Sequence, residues 1–240
     1  MKTTTIISVL YKDYGLFEYM IRTALATSDN IEQILICDNG SNNHLYKRYD
    51  DRVRFISGVG KPHNGSVSHG LGLNRLLPMV KTPITAIIEP DVLMLDRGWD
   101  ELPDHIDYRA SYKTEYQGVF CYLPCFVVGL TDKLQKIDFA PGGKGIACSS
   151  TEMFNDVGWR MAAADMVVQQ LKFKRCENAQ CSIIPNGVFS KKTNEFWLND
   201  RPIAAHLWRG SDPEKRGPKH KEDFQLWKDT AEKILQRVSK

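Results

Sequence analysis

The chain has 240 residues, of which 42% are hydrophobic and 25% are charged. These values are typical of a globular protein with a sizeable core, and the length suits one large domain, with or without a short C-terminal appendage. No apolar run approaches the length needed to cross a bilayer, and the N-terminus leads into a predicted strand rather than a signal peptide, so we expect a cytoplasmic protein.

The net charge is +3, and much of the basic excess lies in residues 215–240. A basic tail can bind phosphates or a membrane surface, but the Glu and Asp residues within it favour a solvated helix face. The six cysteines, at positions 37, 121, 125, 148, 176 and 181, form no CxxC pair. We therefore expect free thiols in a reducing compartment, unless the fold brings two cysteine pairs together around zinc.

Strands and helices alternate in the predicted order of elements. Apolar, β-rich runs predict strands at residues 3–11, 31–37 and 53–57, and helical spacing predicts a helix at residues 14–27. A glycine-rich segment then leads into a second helix that ends near Leu77, and residues 84–88 form a continuous apolar strand. This order predicts an open α/β sheet that binds ligands beyond the carboxyl ends of its strands.

The apolar pattern that predicts helices and strands is weaker in the second half of the chain. An apolar stretch covers residues 119–130, and the glycines of residues 141–145 predict a turned or mobile loop. Helical spacing predicts a helix at residues 150–170, and short strands are predicted at 183–189 and 204–208. A terminal helix at residues 221–238 carries an apolar stripe, which favours docking on the core over binding of a partner.

Two carboxylates interrupt the most apolar part of the sequence, where the strand at residues 84–88 ends. Glu89 and Asp91 are two positions apart in an extended segment, so both side chains point to the same side. Pro90 between them fixes φ and lacks a backbone donor, as expected at the end of a sheet. A divalent cation such as Mg²⁺ or Mn²⁺ would relieve the repulsion between the carboxylates. Two solvated acids in a turn are the alternative.

The glycine-rich segments match no nucleotide-binding loop of the common types. No GxGxxG follows the first strand, and no glycine precedes Lys-Ser or Lys-Thr in the pattern of a P-loop. A Rossmann dehydrogenase and a P-loop NTPase are therefore not supported.

Three motifs occur in an order that resembles a known family. Asp38-Asn39-Gly40-Ser41 follows the second strand, Asn74 lies in the helix before the central strand, and Glu89-Pro90-Asp91 ends that strand. Over residues 3–97 the chain resembles the GT-A fold nucleotide-sugar glycosyltransferases, especially glycosyltransferase family 2. The resemblance implies a mixed, mostly parallel sheet flanked by helices. It divides one domain, 1–212, into a nucleotide-sugar-binding half (1–97) and an acceptor half (98–212), with a docked basic C-terminal helix at 213–240.

The resemblance also implies roles for single residues. The acid that ends strand two contacts the base or ribose, here Asp38, and the last acid of the Asp-x-Asp motif binds metal, here Asp91. Glu89 departs from the motif and holds the metal, the ribose or a metal-bound water. A C-terminal histidine closes the metal site, which maps to His206. The implied donor-binding positions are Leu10, Tyr11, Asp38, Asn39, Gly70, Asn74, Glu89, Pro90, Asp91 and Arg209.

The family's catalytic base is an acid at the start of a later helix. The stretch from Phe154 to Arg160 resembles that region and nominates Asp156, with Glu152 as the alternative. Each of three candidates also has an alternative, purely structural explanation. Asp38 could cap a turn, Asp156 could be an exposed helical acid, and His206 could be a buried or surface histidine with ordinary partners. His63 and His69, in the glycine-rich segment, are less favoured site candidates.

The expected activity is transfer of a sugar from a UDP- or GDP-sugar to an acceptor hydroxyl, with Mn²⁺ or Mg²⁺ and with inversion. The competing hypotheses are a nucleotidyltransferase acting on sugar phosphates and a non-catalytic nucleotide-sugar-binding module. A glycan, a lipid-linked sugar, a protein or a modified nucleic acid could be the acceptor. We expect a monomer or weak oligomer.

Overall fold

A seven-stranded mixed sheet is the largest element of the structure, a computed structural model. The structure describes residues 2–11, 15–40, 50–58, 65–116, 119–141, 157–162, 164–176, 193–207 and 218–238. Its strands are β1 (Thr4–Leu10), β2 (Ile31–Asp38), β3 (Val53–Ser57), β4 (Ile84–Ile88), β6 (Tyr108–Tyr116), β7 (Val119–Leu130) and β8 (Val168–Gln170). Their order in the sheet is β3-β2-β1-β4-β7-β6-β8. The neighbouring strands β3, β2, β1 and β4 are parallel, β7 is antiparallel to both β4 and β6, and β8 is parallel to β6. The predicted α/β class with an open, mostly parallel sheet is confirmed.

Strands β1 to β4 agree with the four strands predicted in the first half of the chain, whereas β6 had no predicted counterpart. Every residue of β1 and β4 is buried. Burial on both faces explains why apolar residues stand side by side in these strands, as in Ile6-Ile7 and Ile87-Ile88, instead of alternating with polar ones.

The chain forms two compact units. The first comprises residues 1–11, 30–89 and 101–170, and the second comprises residues 12–29, 90–100 and 171–240. In the first unit, helix α2 (Gly65–Leu76) packs on β1 and β2, a 3₁₀ turn follows at Leu77–Met79, and α3 (Thr131–Leu134) follows β7. The core of this unit contains Ile7, Leu35, Leu73, Ile87 and Val127, all buried.

The second unit is built on a four-stranded antiparallel sheet of order β5-β11-β10-β9. Its strands are β5 (Val92–Met94), β9 (Lys172–Cys176), β10 (Thr193–Leu198) and β11 (Arg201–Leu207). Helix α1 (Leu16–Thr27) and the C-terminal helix α4 (Pro218–Val238) pack against each other in this unit. Trp227 and Ala231 of α4 are fully buried, beside Leu93 and Leu207.

The helix predicted at residues 150–170 is wrong over the part that the structure describes. Residues 157–162 form a turn and a short 3₁₀ segment, and residues 168–170 belong to β8. Gly158 has φ +80°, a left-handed conformation that no α-helix continues through. Val168 pairs with Tyr108 in the sheet, so the β-branched residues here form a strand.

Other predictions fall outside the described residues, namely the strand at 183–189 and most of the loop at 141–145. No helix among the described residues is both long and apolar enough to span a bilayer. The division of the chain at residue 212, with halves that meet at residue 97, stays a prediction.

Candidate metal and nucleotide site

Three neighbouring parallel strands end at one edge of the seven-stranded sheet. Leu10 at the end of β1 pairs in register with Asp38 at the end of β2, and β4 lies on the other side of β1. Tyr11, Asp38 and Glu89 therefore lie at the carboxyl ends of adjacent strands. Tyr11 is 43% exposed, which leaves its ring accessible for stacking on a ligand. The sequence predicts that ligands bind at this edge of the sheet.

The backbone on both sides of Pro90 is fixed by hydrogen bonds. The N–H of Glu89 donates to the carbonyl oxygen of Cys125 at 2.9 Å, which holds the end of β4 against β7. The carbonyl oxygen of Asp91 accepts the N–H of Leu207 at 3.0 Å, and Val92 pairs with His206. The two carboxylates thus extend from rigid backbone positions.

Asp91 and His206 form a close pair. Nε2 of His206 lies 3.2 Å from Oδ1 of Asp91, and the two side chains are only 11% and 8% exposed. The pairing of the short strand β5 with β11 creates this contact, because it aligns the residue after Asp91 with His206. The structure therefore brings together the two residues, Asp91 and His206, that the resemblance assigns to a metal site, and their role as metal ligands stays a prediction.

Glu89, Asp91 and His206 each offer one ligand atom, and these three atoms lie within 4.8 Å of one another. On an octahedral ion with bonds of about 2.1 Å, two adjacent ligand atoms stand about 3 Å apart and two opposite ones about 4.2 Å apart. The separation of 3.2 Å between Asp91 and His206 matches adjacent ligands. Two carboxylates suit Mg²⁺ or Mn²⁺, and the imidazole favours Mn²⁺ of the two. By the chemistry of their donor atoms, the residues present therefore fit the implied metal.

Asp38 and Asn39, both predicted to bind the donor, also stabilise the local backbone. Oδ1 of Asp38 accepts the N–H of Gly40 at 3.1 Å, the turn-capping contact that the sequence left open. Asn39 is buried, its N–H donates to the carbonyl oxygen of Leu10, and its Nδ2 donates to the carbonyl oxygen of Ser68. Asn39 thereby ties the end of β2 to both β1 and helix α2.

Gly70 and Asn74 on α2 hold the segment at residues 138–140. A Cβ on Gly70 would clash with the backbone of Phe139 and Ala140, so this close approach requires glycine. The side-chain oxygen of Asn74 accepts the N–H of Phe139 at 2.8 Å, and its Nδ2 donates to Asp138 at 2.6 Å. The geometry assigns both residues to packing, and their predicted donor contacts stay predictions.

The predicted base residues Asp156 and Glu152 lie outside the described residues, as does Arg209. The structure adds one residue that sequence analysis left among the less favoured candidates. His69 on α2 has its Nδ1 3.5 Å from Oε1 of Glu89. The only sequence signal for it was a histidine in the glycine-rich segment, because its distance from Glu89 depends on how α2 packs on the sheet.

No protein-family model matches the chain, and no curated protein matches it either. Solved structures do match. Galactosyltransferase LgtC in complex with donor and acceptor sugar analogs matches with a TM-score of 0.40 and 16% identity, over 56% of this chain and 60% of that one. Mannosyltransferase PcManGT from Pyrobaculum calidifontis, in complex with GDP-Man and Mn²⁺, matches with a TM-score of 0.43 and 13% identity, over 56% and 46%.

The bifunctional IspDF from Campylobacter jejuni also matches, with a TM-score of 0.41 and 10% identity, over 75% of this chain and 61% of that one. The chain spans less than two thirds of each of these three proteins. Glycosyltransferases are among the matching structures. The function proposed below rests on the chain's own residues.

Proposed function

We propose that this protein is a metal-dependent glycosyltransferase. It would move a sugar from a nucleoside-diphosphate donor, a UDP- or GDP-sugar, to an acceptor hydroxyl with inversion at the anomeric carbon. The cytoplasmic location expected from the sequence is part of this proposal.

The observation that carries the proposal is the cluster of Glu89, Asp91 and His206 at the end of β4. Hard oxygen ligands at the carboxyl edge of an α/β sheet, next to the ends of two further parallel strands, form the kind of site that binds a metal together with nucleotide phosphates. Asp91 is the central ligand of this cluster, because it is buried and contacts His206.

Each residue would act on a defined part of the donor. Glu89, Asp91 and His206 would hold Mn²⁺ or Mg²⁺, which supplies positive charge to the diphosphate as negative charge grows on the leaving oxygen. Asp38 would accept hydrogen bonds from the ribose or base, and Tyr11 would stack on the base. Arg209 would add positive charge near the diphosphate.

A carboxylate must remove the acceptor proton as the acceptor oxygen attacks. We assign this role to Asp156, with Glu152 as the alternative. In one displacement the acceptor oxygen bonds to the anomeric carbon, the bond from that carbon to the diphosphate oxygen breaks, and the proton moves to the carboxylate. The products are the glycoside and the nucleoside diphosphate.

Thermal shift with a panel of nucleotides tests the proposal. The panel contains UDP, GDP, their sugar conjugates, UTP and GTP, each with Mn²⁺ and with EDTA. Stabilisation by diphosphates or sugar conjugates only in Mn²⁺ supports the transferase. Preference for free triphosphates would instead favour a nucleotidyltransferase, and binding without any turnover across an acceptor panel would favour a binding module. Mass spectrometry of candidate acceptors incubated with the preferred donor then identifies the acceptor.

A further inference from the structure

We propose that His69 is a positioning residue that fixes the Glu89 carboxylate in the metal site. This inference rests on the proposed function, since it assigns a role to Glu89 as a ligand. The observation behind it is the contact of 3.5 Å between Nδ1 of His69 and Oε1 of Glu89. Both side chains are mostly covered, with exposures of 18% and 24%, so solvent screens their interaction only in part.

His69 lies outside the metal cluster itself. Among the residues that the structure describes, the atoms that gather within 4.8 Å belong to Glu89, Asp91 and His206. His69 contacts one of these side chains from the side of α2. An imidazole N–H that donates to a ligating carboxylate orients the carboxylate without occupying a metal position, and such outer contacts are a general feature of metal sites.

The chemistry of glutamate explains why this site needs such a contact. Glu89 carries one more methylene than an aspartate at the same position, and therefore one more rotatable bond to immobilise when it binds a metal. The Asp91 side chain is shorter and is held by burial beside His206. Glu89 is more exposed, at 24% against 8% for Asp91, so a second group that restricts its carboxylate lowers the entropy lost on metal binding.

The backbone around His69 is held rigidly enough for this role. The residue before it, Ser68, has its carbonyl oxygen bound by Nδ2 of Asn39 at 3.0 Å. The residue after it, Gly70, is packed directly under Phe139 and Ala140. A side chain that extends from a fixed turn of helix can restrict its partner, whereas one on a mobile loop cannot. Asn39 and Gly70 thus contribute to the site indirectly, because they fix the backbone on both sides of His69.

The contact of 3.5 Å is longer than a formed hydrogen bond, for which about 2.9 Å is usual. We expect the hydrogen bond from His69 to Glu89 to form when the Glu89 carboxylate binds the metal.

Binding of Mn²⁺ alone to the full chain tests the inference, with free Mn²⁺ measured by electron paramagnetic resonance. The variants are His69→Ala, His69→Gln, Glu89→Ala and the double variant His69→Ala/Glu89→Ala. His105→Ala, which removes an exposed histidine, is the matched control. We expect His69→Ala to weaken Mn²⁺ binding about 10-fold, as loss of an outer partner does. His69→Gln, which keeps an N–H donor, should weaken it less, and His105→Ala not at all.

The double variant separates positioning from a general structural effect. If His69 acts through Glu89, its removal adds nothing once Glu89 is gone. An equal loss in the wild-type and Glu89→Ala backgrounds would overturn the inference, and so would wild-type affinity in His69→Ala. If His69→Ala does not fold, as judged by circular dichroism, His69→Gln with and without Glu89→Ala provides the same comparison.

Asp91→Asn distinguishes failure of this inference from failure of the proposed function. If Asp91→Asn loses Mn²⁺ and His69→Ala does not, only the role of His69 is wrong. If the wild-type chain does not bind Mn²⁺, or if Asp91→Asn binds it normally, the metal site itself is wrong and the role of His69 falls with it.

Discussion

Oδ1 of Asp91 lies 3.2 Å from Nε2 of His206, although the two residues belong to distant parts of the sequence. The three-residue strand β5 produces this proximity, since it continues directly from Asp91 and pairs with β11. Asp91 is thereby brought next to a histidine of the four-stranded antiparallel sheet. The candidate metal site depends on this one strand pairing.

Gly70→Ala should destabilise the protein by about 1–3 kcal/mol, because a Cβ here collides with the backbone of Phe139 and Ala140. In an ordinary helix interior the same change stabilises by about 1 kcal/mol, so the sign of the effect is diagnostic. Urea denaturation measures it, with Leu71→Ala on the exposed face of α2 as the control. A Gly70→Ala variant more stable than wild type would show that α2 does not pack this closely on that segment.

Trp227→Ala should cost about 3–5 kcal/mol of unfolding free energy, since the fully buried indole lies in the core of the second unit. This outcome is expected if α4 is part of the core. Gln236→Ala, at an exposed position of the same helix, should change stability by less than about 0.5 kcal/mol. If both variants are equally stable, α4 is not part of the core. Its basic residues would then favour the alternative, contact with phosphates or a membrane surface.

Asp50→Asn should lower stability near neutral pH but have little effect in acid. The hydrogen bond from the Arg52 side chain, together with the Arg52 backbone N–H, lowers the pKa of Asp50 to about 2. Because the folded-state pKa is depressed, the stabilisation is present above the unfolded value of about 3.9 and is lost as pH falls toward 2.

The gap between the urea midpoints of wild type and Asp50→Asn should therefore be largest at pH 6 and smaller at pH 3. Asp200→Asn removes the same charge at an exposed position and serves as the control. A gap that stays constant between these pH values would contradict the ion pair between Asp50 and Arg52.

Asp156→Asn should reduce turnover while leaving donor binding unchanged, because a base acts on the acceptor and the metal ligands act on the donor. Steady-state kinetics with the preferred donor and calorimetric titration of that donor provide the two readouts. Glu152→Asn is the paired comparison. If donor affinity falls in Asp156→Asn while turnover of bound donor is normal, Asp156 belongs to the nucleotide site and Glu152 becomes the better candidate for the base.

The first half of the fold was predictable because its signals are local. β1 and β4 contain adjacent apolar, β-branched residues, and α1 has helical spacing, so each element is determined by its own residues. The carboxylates after β4 were predictable for the same reason, since a break in an apolar strand is visible in sequence. His206 was identified from the family resemblance, because no local pattern connects it to Asp91.

The later elements and the role of His69 depend on contacts that sequence spacing does not encode. Residues 150–170 have helical spacing of apolar side chains, but Gly158 adopts a left-handed conformation and Val168 pairs with Tyr108 in the sheet. His69 reaches Glu89 only because α2 packs against β1 and β2 at a particular register. Tertiary packing of this kind overrides local propensity.

Calorimetric titration of UDP and GDP into wild type, Asp91→Asn and His206→Ala, each in Mn²⁺ and in EDTA, is the most direct test of the metal site. At least one nucleotide should bind wild type in Mn²⁺ and not in EDTA, and this binding should be lost in Asp91→Asn. His206→Ala should weaken it less, because water can replace a neutral imidazole but not the charge of a carboxylate. Equal binding in EDTA, or normal Mn²⁺-dependent binding by Asp91→Asn, would contradict a metal-dependent nucleotide site at the end of β4.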